Sequence, residues 1–352
     1  MAAALLWPAV ARADGAVTVR GAYYKERATR VAQPMLDARF DVGEDGELTA
    51  HTLVDSISSA SVAAGSAGEP FDELRYEAGA GYMHRVLDVL RLGGAVRGST
   101  EPDYKSLFAT ARAAAELNER NTTIELTVSG GRDRLDNAGA QTMIVEPITG
   151  VLYTWLASTS VSQVLSPVLV GQLTYDIAYL DGFQENPYRT VSAGGGLEME
   201  RVPDTRLRHA VFGAVRGFVP ATRTTLTGGY RVYHDDWGVW GHTPEARVVQ
   251  AMGDVDLHLR YRLHHQSRAD FYRPSYPTAD PAREPYLTDD VKLSKLTTQT
   301  IGLKADLPLS LLGARGELEG ARLETLFEYI FQSTYYGNAV VAQVAVTVPF
   351  EY

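Results

Sequence analysis

Arginine and carboxylate side chains that recur at every second position are the residues of this sequence with the clearest capacity for binding chemistry. In the segment DVDLHLRYRLHHQ, residues 254–266, the charged residues Asp254, Asp256, Arg260 and Arg262 alternate with leucines and a tyrosine. A row of arginines could guide an anionic or hydroxyl-rich solute, because each guanidinium offers several hydrogen-bond donors in a fixed fork. The pattern therefore predicts a charged surface that faces water along a strand.

Other segments carry charge in the same alternating way, which extends the predicted polar lining over several strands. Arginines and carboxylates on neighbouring strands could also pair with one another and simply fill the interior. The sequence leaves both interpretations open, a surface that guides a solute and a set of structural ion pairs. The candidate lining residues are Arg206, Arg208, Arg216, Arg223, Arg231, Arg247, Arg260, Arg262, Asp254, Asp256, Glu324 and Glu328.

Histidine-containing motifs are the candidates for catalysis or metal binding. The motif His234-Asp235-Asp236 falls where a predicted strand meets a loop, and a polar loop start explains it better than a catalytic pair. His264 and His265 are adjacent, so on a strand they face opposite sides and do not share a metal ion. No spacing fixes a serine beside a histidine, as nucleophilic catalysis requires. The sequence predicts no enzyme activity, no metal site and no cofactor.

A long polar segment, ADFYRPSYPTADPAREPYL at residues 269–287, is rich in aromatic side chains. Aromatic rings on a polar loop can stack on sugar rings. They can equally pack the loop into the mouth of a barrel as a plug, and the sequence does not separate these two roles. The candidate sugar-stacking residues are Phe271, Tyr272, Tyr276 and Tyr286.

The elements that must position these residues are β-strands, because alternation with a period of two is typical of a strand with one apolar and one polar face. Segments of about 9–11 residues suit strands that cross a bilayer at a tilt. About sixteen such segments lie near residues 16–26, 34–42, 47–57, 72–83, 88–98, 104–116, 122–133, 151–164, 168–180, 205–217, 222–234, 242–252, 254–266, 297–307, 321–332 and 339–352.

Connections between the segments alternate between tight turns and long loops. Short turns at the periplasmic end and long extracellular loops are typical of outer-membrane barrels. The segment LSLLGARGELEG, residues 309–320, is long for a periplasmic turn and could hide a further strand element. The sequence therefore predicts an all-β, antiparallel transmembrane barrel of about sixteen strands, with eighteen as the alternative.

The charges decide which solvent the apolar faces meet. A soluble sandwich would hide its apolar faces, whereas a membrane barrel turns them outward and keeps charge in the lumen. Here charge recurs at mid-strand on the polar faces, and tyrosines lie near the ends of the apolar faces: Tyr23, Tyr82, Tyr179 and Tyr261. We therefore expect a barrel in the lipid bilayer of a bacterial outer membrane, where tyrosines suit the lipid interface.

Both ends of the chain fit this location. Ala11-Arg12-Ala13 follows a short apolar stretch and fits a signal-peptide cleavage site, which predicts a signal peptide at 1–13 and one barrel domain at 14–352. The final strand ends with Val348, Phe350 and Tyr352 on one face, a pattern expected to be recognised by the barrel-insertion machinery. The net charge of −10 provides no basic footprint for nucleic acid.

Four stretches of the sequence resemble a group of bacterial outer-membrane barrels classed as a domain of unknown function. They are AYYKERATRVAQPMLDARFDV, HTLVDSISSASVAAGS, VSQVLSPVLVGQLTYDIAYLDGFQENPYR and RLRHAVFGAVRGFVP. The group is similar to myxobacterial integral barrels that work beside polysaccharide export systems. There the periplasmic export protein lacks a membrane-spanning part of its own. The resemblance implies a conduit for a polysaccharide with a periplasmic export protein as partner, and it identifies no catalytic residue.

The leading hypothesis is an outer-membrane channel for a hydrophilic solute, a polysaccharide that leaves the cell with the help of periplasmic partners. A general or substrate-specific porin for small solutes is the alternative. A surface barrel with a plugged lumen and a structural or adhesive role is the third reading, and an outer-membrane enzyme is the last.

Overall fold

The computed structural model describes residues 14–27, 29–59, 71–137 and 148–351 of the protein. The predicted signal peptide and Tyr352 lie outside these residues, so the signal peptide and the domain bounds stay predictions. Eighteen strands are described: β1 (Asp14–Lys25), β2 (Thr29–Val42), β3 (Gly46–Ser59), β4 (Phe71–Leu87), β5 (Leu90–Thr100), β6 (Tyr104–Leu117), β7 (Thr122–Asp136), β8 (Thr149–Ser166), β9 (Leu169–Gly182), β10 (Thr190–Ala193), β11 (Gly196–Met199), β12 (Thr205–Val219), β13 (Thr224–Asp235), β14 (Trp240–Met252), β15 (Val255–Gln266), β16 (Leu296–Pro308), β17 (Arg322–Gln332) and β18 (Ala339–Glu351).

Sixteen of these strands form one closed antiparallel barrel, in which each strand pairs with its neighbours along the chain. β10 and β11 form a separate hairpin inside the loop that joins β9 to β12. The first and last strands close the ring, with Asp14 opposite Glu351 and Lys25 opposite Val340. The prediction of sixteen barrel strands is confirmed, since the additional pair of strands lies outside the barrel.

The segment 309–320 is not a strand. It contains two short 3-10 helices, Leu309–Leu312 and Gly316–Leu318. Gly313 ends the first helix in a left-handed conformation with φ of 93°, which turns the chain away from an extended path. Among the described residues, no helix is long and apolar enough to cross a membrane.

Several strands are longer than the bilayer crossing that the sequence suggested. β8 has 18 residues and β4 has 17, whereas about 9–11 residues cross the hydrocarbon layer. The predicted segment 72–83 ends too early, because β4 continues to Leu87. The additional strand residues extend the wall of the barrel beyond the membrane and form its rim.

The outer surface of the barrel is apolar. Val19, Leu107 and Leu173 are 60%, 63% and 58% exposed, although a soluble protein would bury such side chains. Tyrosines with a polar partner lie among them, as the Tyr175 hydroxyl does at 2.8 Å from His209 Nδ1. A closed ring also leaves no unpaired strand edge in lipid. The barrel is therefore of the transmembrane type found in bacterial outer membranes, with the apolar faces turned outward as predicted.

The seam between the first and last strands is packed by an aromatic side chain on this outer face. Gly15 and Phe40 lie beside Phe350, whose ring meets that of Phe40 edge-on with centroids 5.8 Å apart. A Cβ atom at Gly15 would lie 2.4 Å from the Phe350 ring, so only glycine leaves room for it. Val348 and Phe350 thus face outward as predicted, while their recognition by the insertion machinery stays a prediction.

The turns 43–45, 88–89, 118–121 and 253–254 lie at one end of the barrel with Asp14 and Glu351, and this end is here named the turn end. The connections 183–204 and 267–295 lie at the other end, the loop end, which is the extracellular end in barrels of this type, whereas the segment 309–321 lies at the turn end. These two connections of the loop end fold against each other and are together named the cap. The bridges Ala193↔Tyr276 and Arg201↔Leu287 join them. Their apolar interior includes Val191, Ala193, Tyr276 and Leu287.

Candidate functional site: the lumen wall and the cap

A row of arginines lies on the inner faces of four consecutive strands. Alternation places these side chains opposite outward residues such as Val211, Leu259 and Tyr261, which are exposed to lipid. The row, named the arginine stripe, comprises Arg206, Arg208 and Arg216 of β12, Arg231 of β13, Arg247 of β14 and Arg260 and Arg262 of β15. On the same strands the inner faces carry three carboxylates, Asp235, Glu245 and Asp256. The stripe therefore has an excess of positive charge in a chain whose net charge is −10.

The middle of the stripe is held by ion pairs. Arg260 donates to Glu245 Oε2 at 2.7 and 3.0 Å and to Glu328 Oε1 at 2.9 Å. Arg247 also lies 2.6 Å from Glu245. Glu328 reaches Arg260 across β16 at Gly302, where a Cβ atom would lie 2.9 Å from Glu328 Oε1. For these residues the structural interpretation of the charges is correct.

Other arginines of the stripe keep their charge unpaired. Among the described residues, Arg208, Arg216 and Arg262 have no carboxylate oxygen within 4.0 Å. Arg262 lies opposite Glu245 in the strand register, but that carboxylate is already engaged by two other guanidinium groups. The stripe thus combines a paired centre with unpaired cations at several heights in the lumen.

Two of the predicted lining residues lie outside the strands. Arg223 is in the turn between β12 and β13 with φ of 54°, and Asp254 follows Gly253 in the turn between β14 and β15. The strands begin one residue later, at Thr224 and Val255, because these turns need residues in the left-handed region. Both side chains therefore lie at the turn end, and their assignment to the strand lining is wrong.

Two further carboxylates of the predicted lumen lining, Glu324 and Asp256, lie on the inner wall beside other charged side chains. Glu324 lies 3.0 Å from Lys304 Nζ. Asp256 is opposite Asp306 in the register of β15 and β16, and Asp306 is engaged by Arg322 at 2.7 Å. These contacts fill the wall beside the stripe.

The motif at residues 234–236 does not form a catalytic pair. Asp235 is fully buried on the inner side and accepts hydrogen bonds from Arg206 Nε at 3.0 Å and from the Tyr233 hydroxyl at 2.6 Å. His234 points to the outer side and stacks on Trp240 with ring centroids 4.1 Å apart. The two side chains face opposite sides of the wall. Arg206 is consequently held at the rim by Asp235.

The aromatic residues of the loop 267–295 differ in what their rings can contact. Tyr276 is 5% exposed, and its hydroxyl donates to Phe271 O, lies 3.0 Å from Thr288 O and accepts from Thr288 N at 2.8 Å. Burial raises the pKa of Tyr276 and of Tyr272. Tyr276 therefore holds the cap together, and its assignment as a sugar-stacking residue is wrong.

The other three rings pack at the surface of the cap or under it. Phe271 meets the Trp237 ring at 5.3 Å between centroids, and Tyr272 packs against the same apolar cluster. Tyr286 lies 5.4 Å from Phe271 and is 38% exposed. Among the four candidates, Tyr286 offers the most accessible ring, so its role in stacking on sugars remains a proposal.

The cap extends across the mouth of the barrel. The Tyr188 hydroxyl donates to Asp103, in the turn between β5 and β6. The next residue, Arg189, binds Glu200 at 3.1 Å and Asp290 at 2.7 Å. Burial alone would lower the pKa of Arg189, but these two carboxylates raise it above its usual value. The side chain of Arg189 is 8% exposed, so the pair lies inside the cap.

A group of carboxylates that the sequence did not single out lies at the rim near Tyr188. Glu73 of β4 and the two residues Glu101 and Asp103 of the turn between β5 and β6 each place an oxygen within 4.8 Å of the others. They line a cavity of about 290 Å³ together with Asp133 and Glu185. Burial raises the pKa of Glu101, although Arg75 opposes this shift. The residues come from two separate strands and two connections, so no local sequence pattern reveals them.

Comparisons with known proteins agree with this architecture. The model of a family described as "Protein of unknown function (DUF3570)" matches residues 62–347. No curated protein sequence matches the chain. The fold is similar to a structure described as "Bacterial polysaccharide outer membrane secretin", with a TM-score of 0.55 and 8% identity over 96% of this chain and 98% of that chain.

Two Pseudomonas proteins are also similar. For OccD3 (OpdP) of Pseudomonas aeruginosa the TM-score is 0.49 and the identity 10%, over 96% of this chain and 91% of that chain. For a BenF-like porin from Pseudomonas fluorescens Pf-5 the values are 0.48 and 10%, over 97% and 99%.

Proposed function

This chain belongs to the family described as "Protein of unknown function (DUF3570)", and we propose that it forms an outer-membrane channel for a hydrophilic solute. We propose further that the solute is a polysaccharide, exported with a periplasmic partner protein. Catalysis is not part of this proposal, because His234 and Asp235 face opposite sides of the barrel wall.

The arginine stripe is the observation that carries the proposal. Arg208, Arg216 and Arg262 keep guanidinium groups without a carboxylate partner among the described residues. Such groups offer several hydrogen-bond donors to hydroxyl, carboxylate or phosphate oxygens of a passing chain. Paired arginines would only stiffen the wall, whereas these unpaired ones can exchange partners as a polymer moves through the lumen.

The cap supports export over a permanently open pore for small solutes. It joins opposite sides of the mouth through Tyr188 and Arg189. A general porin works with a wide open mouth, while a conduit for a large polymer needs a narrowed mouth that passes only small ions when no polymer occupies it. The structure described as "Bacterial polysaccharide outer membrane secretin" has a similar fold. This similarity supports a test of polysaccharide export by this barrel.

A planar-bilayer experiment tests the proposal. The refolded protein is measured with and without a long acidic polysaccharide, and Arg216→Gln/Arg262→Gln is compared with the control Arg132→Gln/Arg134→Gln. The control removes the same charge from side chains at the exposed rim of β7. We expect the polymer to block wild type and control alike, and the stripe variant to need about tenfold more polymer, equivalent to about 1.4 kcal/mol.

The outcomes separate the two classes of channel. If the same polymer concentration blocks the conductance of all three proteins, the arginine stripe does not bind the solute. Steady ion conductance that no polysaccharide blocks would contradict the export proposal and support a porin for small solutes. Loss of surface polysaccharide in a clean gene deletion is the corresponding expectation in cells, and normal polysaccharide there would contradict export.

A further inference from the structure

We propose that Glu73, Glu101 and Asp103 bind a divalent cation at the rim of the barrel, and that Ca²⁺ is the ion that fits them best. This proposal is independent of the solute, because the site lies at the rim beside the cap and away from the arginine stripe. It rests on two observations, the placement of three carboxylates and an additional buried oxygen in the same cavity.

The first observation is the spacing of the carboxylate oxygens. One oxygen each from Glu73, Glu101 and Asp103 lies within 4.8 Å of the other two. Ligands about 2.3–2.6 Å from one Ca²⁺ lie within about 5.2 Å of one another, so the oxygen spacing meets the condition for sharing one ion. Three carboxylates so close together repel one another unless protons or a cation intervene.

The second observation is the carboxylate of Asp133, which lines the same cavity and is 7% exposed. One side of this group is hydrogen-bonded by Tyr104. Its Oδ1 atom is buried and has no hydrogen-bond partner among the described residues. A buried charged oxygen without a partner is costly, and a cation held by the neighbouring carboxylates would provide one.

Nearby basic groups do not neutralise the cluster. Arg75 Nε lies 3.8 Å from Glu101, but the same guanidinium already binds Glu77 at 2.6 Å and lies 3.6 Å from Asp55. Glu185 adds a further carboxylate to the wall of the cavity. The cavity therefore has an excess of negative charge that a divalent ion would balance.

The donor set favours Ca²⁺ over other metals. All donors are oxygens, and the cluster contains no histidine or cysteine, which Zn²⁺ prefers. Mg²⁺ demands near-ideal octahedral geometry at about 2.0–2.1 Å, whereas Ca²⁺ accepts irregular sets of oxygens at about 2.3–2.6 Å. Carboxylates that reach one point from a strand and a turn suit the less demanding ion.

A bound ion would also fasten the cap. The Tyr188 hydroxyl donates to Asp103, so an ion that fixes this carboxylate would fix the point at which residues 183–204 meet the rim. The ion would in this way connect the ends of β4 and the turn 101–103 to the cap, and its removal should loosen that contact.

Terbium luminescence tests the site directly, because Tb³⁺ replaces Ca²⁺ and is excited by nearby tyrosine rings. Tyr104 and Tyr188 each contact a carboxylate of the cavity. The full-length protein in detergent is treated with EDTA, titrated with Tb³⁺ and then with Ca²⁺. The variant is Glu101→Gln/Asp103→Asn, and the matched control is Glu44→Gln/Asp88→Asn in the turns of the turn end.

We expect wild type and control to give the same luminescence, reversed by Ca²⁺, and the variant to bind Tb³⁺ at least about tenfold more weakly. Equal binding by variant and control, or no luminescence in the wild type, would overturn the proposal. If the double variant fails to fold, as judged by heat-modifiable gel migration, Glu73→Gln takes its place. Unchanged affinity in that folded variant would equally overturn it.

Discussion

Tyr188 and Arg189 are neighbours in the chain, yet their side chains bind two connections that leave the barrel on opposite sides of the ring. Tyr188 contacts the turn between β5 and β6, and Arg189 contacts the loop between β15 and β16. In the strand order of the closed ring, eight barrel strands separate these two connections in either direction. The cap therefore crosses the mouth from one side to the other.

Arg189→Met should open the cap. The substitution leaves the buried Glu200 and the partly exposed Asp290 without their cation. Removing one partner of a buried ion pair, as here with Glu200, costs about 3–5 kcal/mol. We expect a larger single-channel conductance and faster proteolysis within residues 183–204, with an intact barrel by gel migration. The control Arg273→Met removes a more exposed pair with Glu284 from the other loop of the cap, and such pairs contribute about 0–1 kcal/mol. Equal effects of both variants would show that the cap does not depend on Arg189.

Gly302→Ala should weaken the paired centre of the arginine stripe. The new methyl group would lie 2.9 Å from Glu328 Oε1 and push that carboxylate away from Arg260. We expect the free energy of unfolding in urea to fall by about 1.5–3 kcal/mol, the range of a hydrogen bond to a charged group. Gly213→Ala is the matched control, since a Cβ atom at Gly213 meets nothing within 4 Å. A fall of the same size in the control would assign the effect to glycine replacement in general.

Gly15→Ala should disturb the closure of the barrel. Its Cβ atom would lie 2.4 Å from the Phe350 ring, which must then leave its place beside Phe40. We expect slower folding into detergent or lipid and a loss of about 1–3 kcal/mol, the usual cost of overpacking.

A double-mutant cycle with Phe350→Leu checks this cause. If the clash with the ring is responsible, most of the effect of Gly15→Ala should disappear in the Phe350→Leu background. Strictly additive effects would mean that the alanine acts through something other than Phe350.

The barrel was predictable from the sequence because alternation is a local property. The outer face of β15 is indicated within a few residues by Leu257, Leu259 and Tyr261. The register between β15 and β16 then follows, because the apolar faces of both strands must lie on the same side of the sheet. The resemblance to a barrel family of unknown function is also confirmed, because the family model matches residues 62–347.

The sites were less predictable because they depend on contacts between distant segments. The alternation of apolar and polar residues predicted that Arg223 and Asp254 belong to strands. Both residues lie in turns, because the alternating pattern continues past the point where the strand ends. Nothing local distinguishes the buried Tyr276 from the exposed Tyr286. Likewise, Glu73 meets Glu101 and Asp103 only when β4, β5 and β6 have paired.

The two halves of the cap are carried to the cell surface by separate hairpins, one joining β9 to β12 and the other joining β15 to β16. Neither half can bury Arg189 against Asp290 before both have crossed the bilayer. The cap is consequently a late product of biogenesis, and an antibody that recognises its folded surface would count completed barrels and ignore those still being assembled.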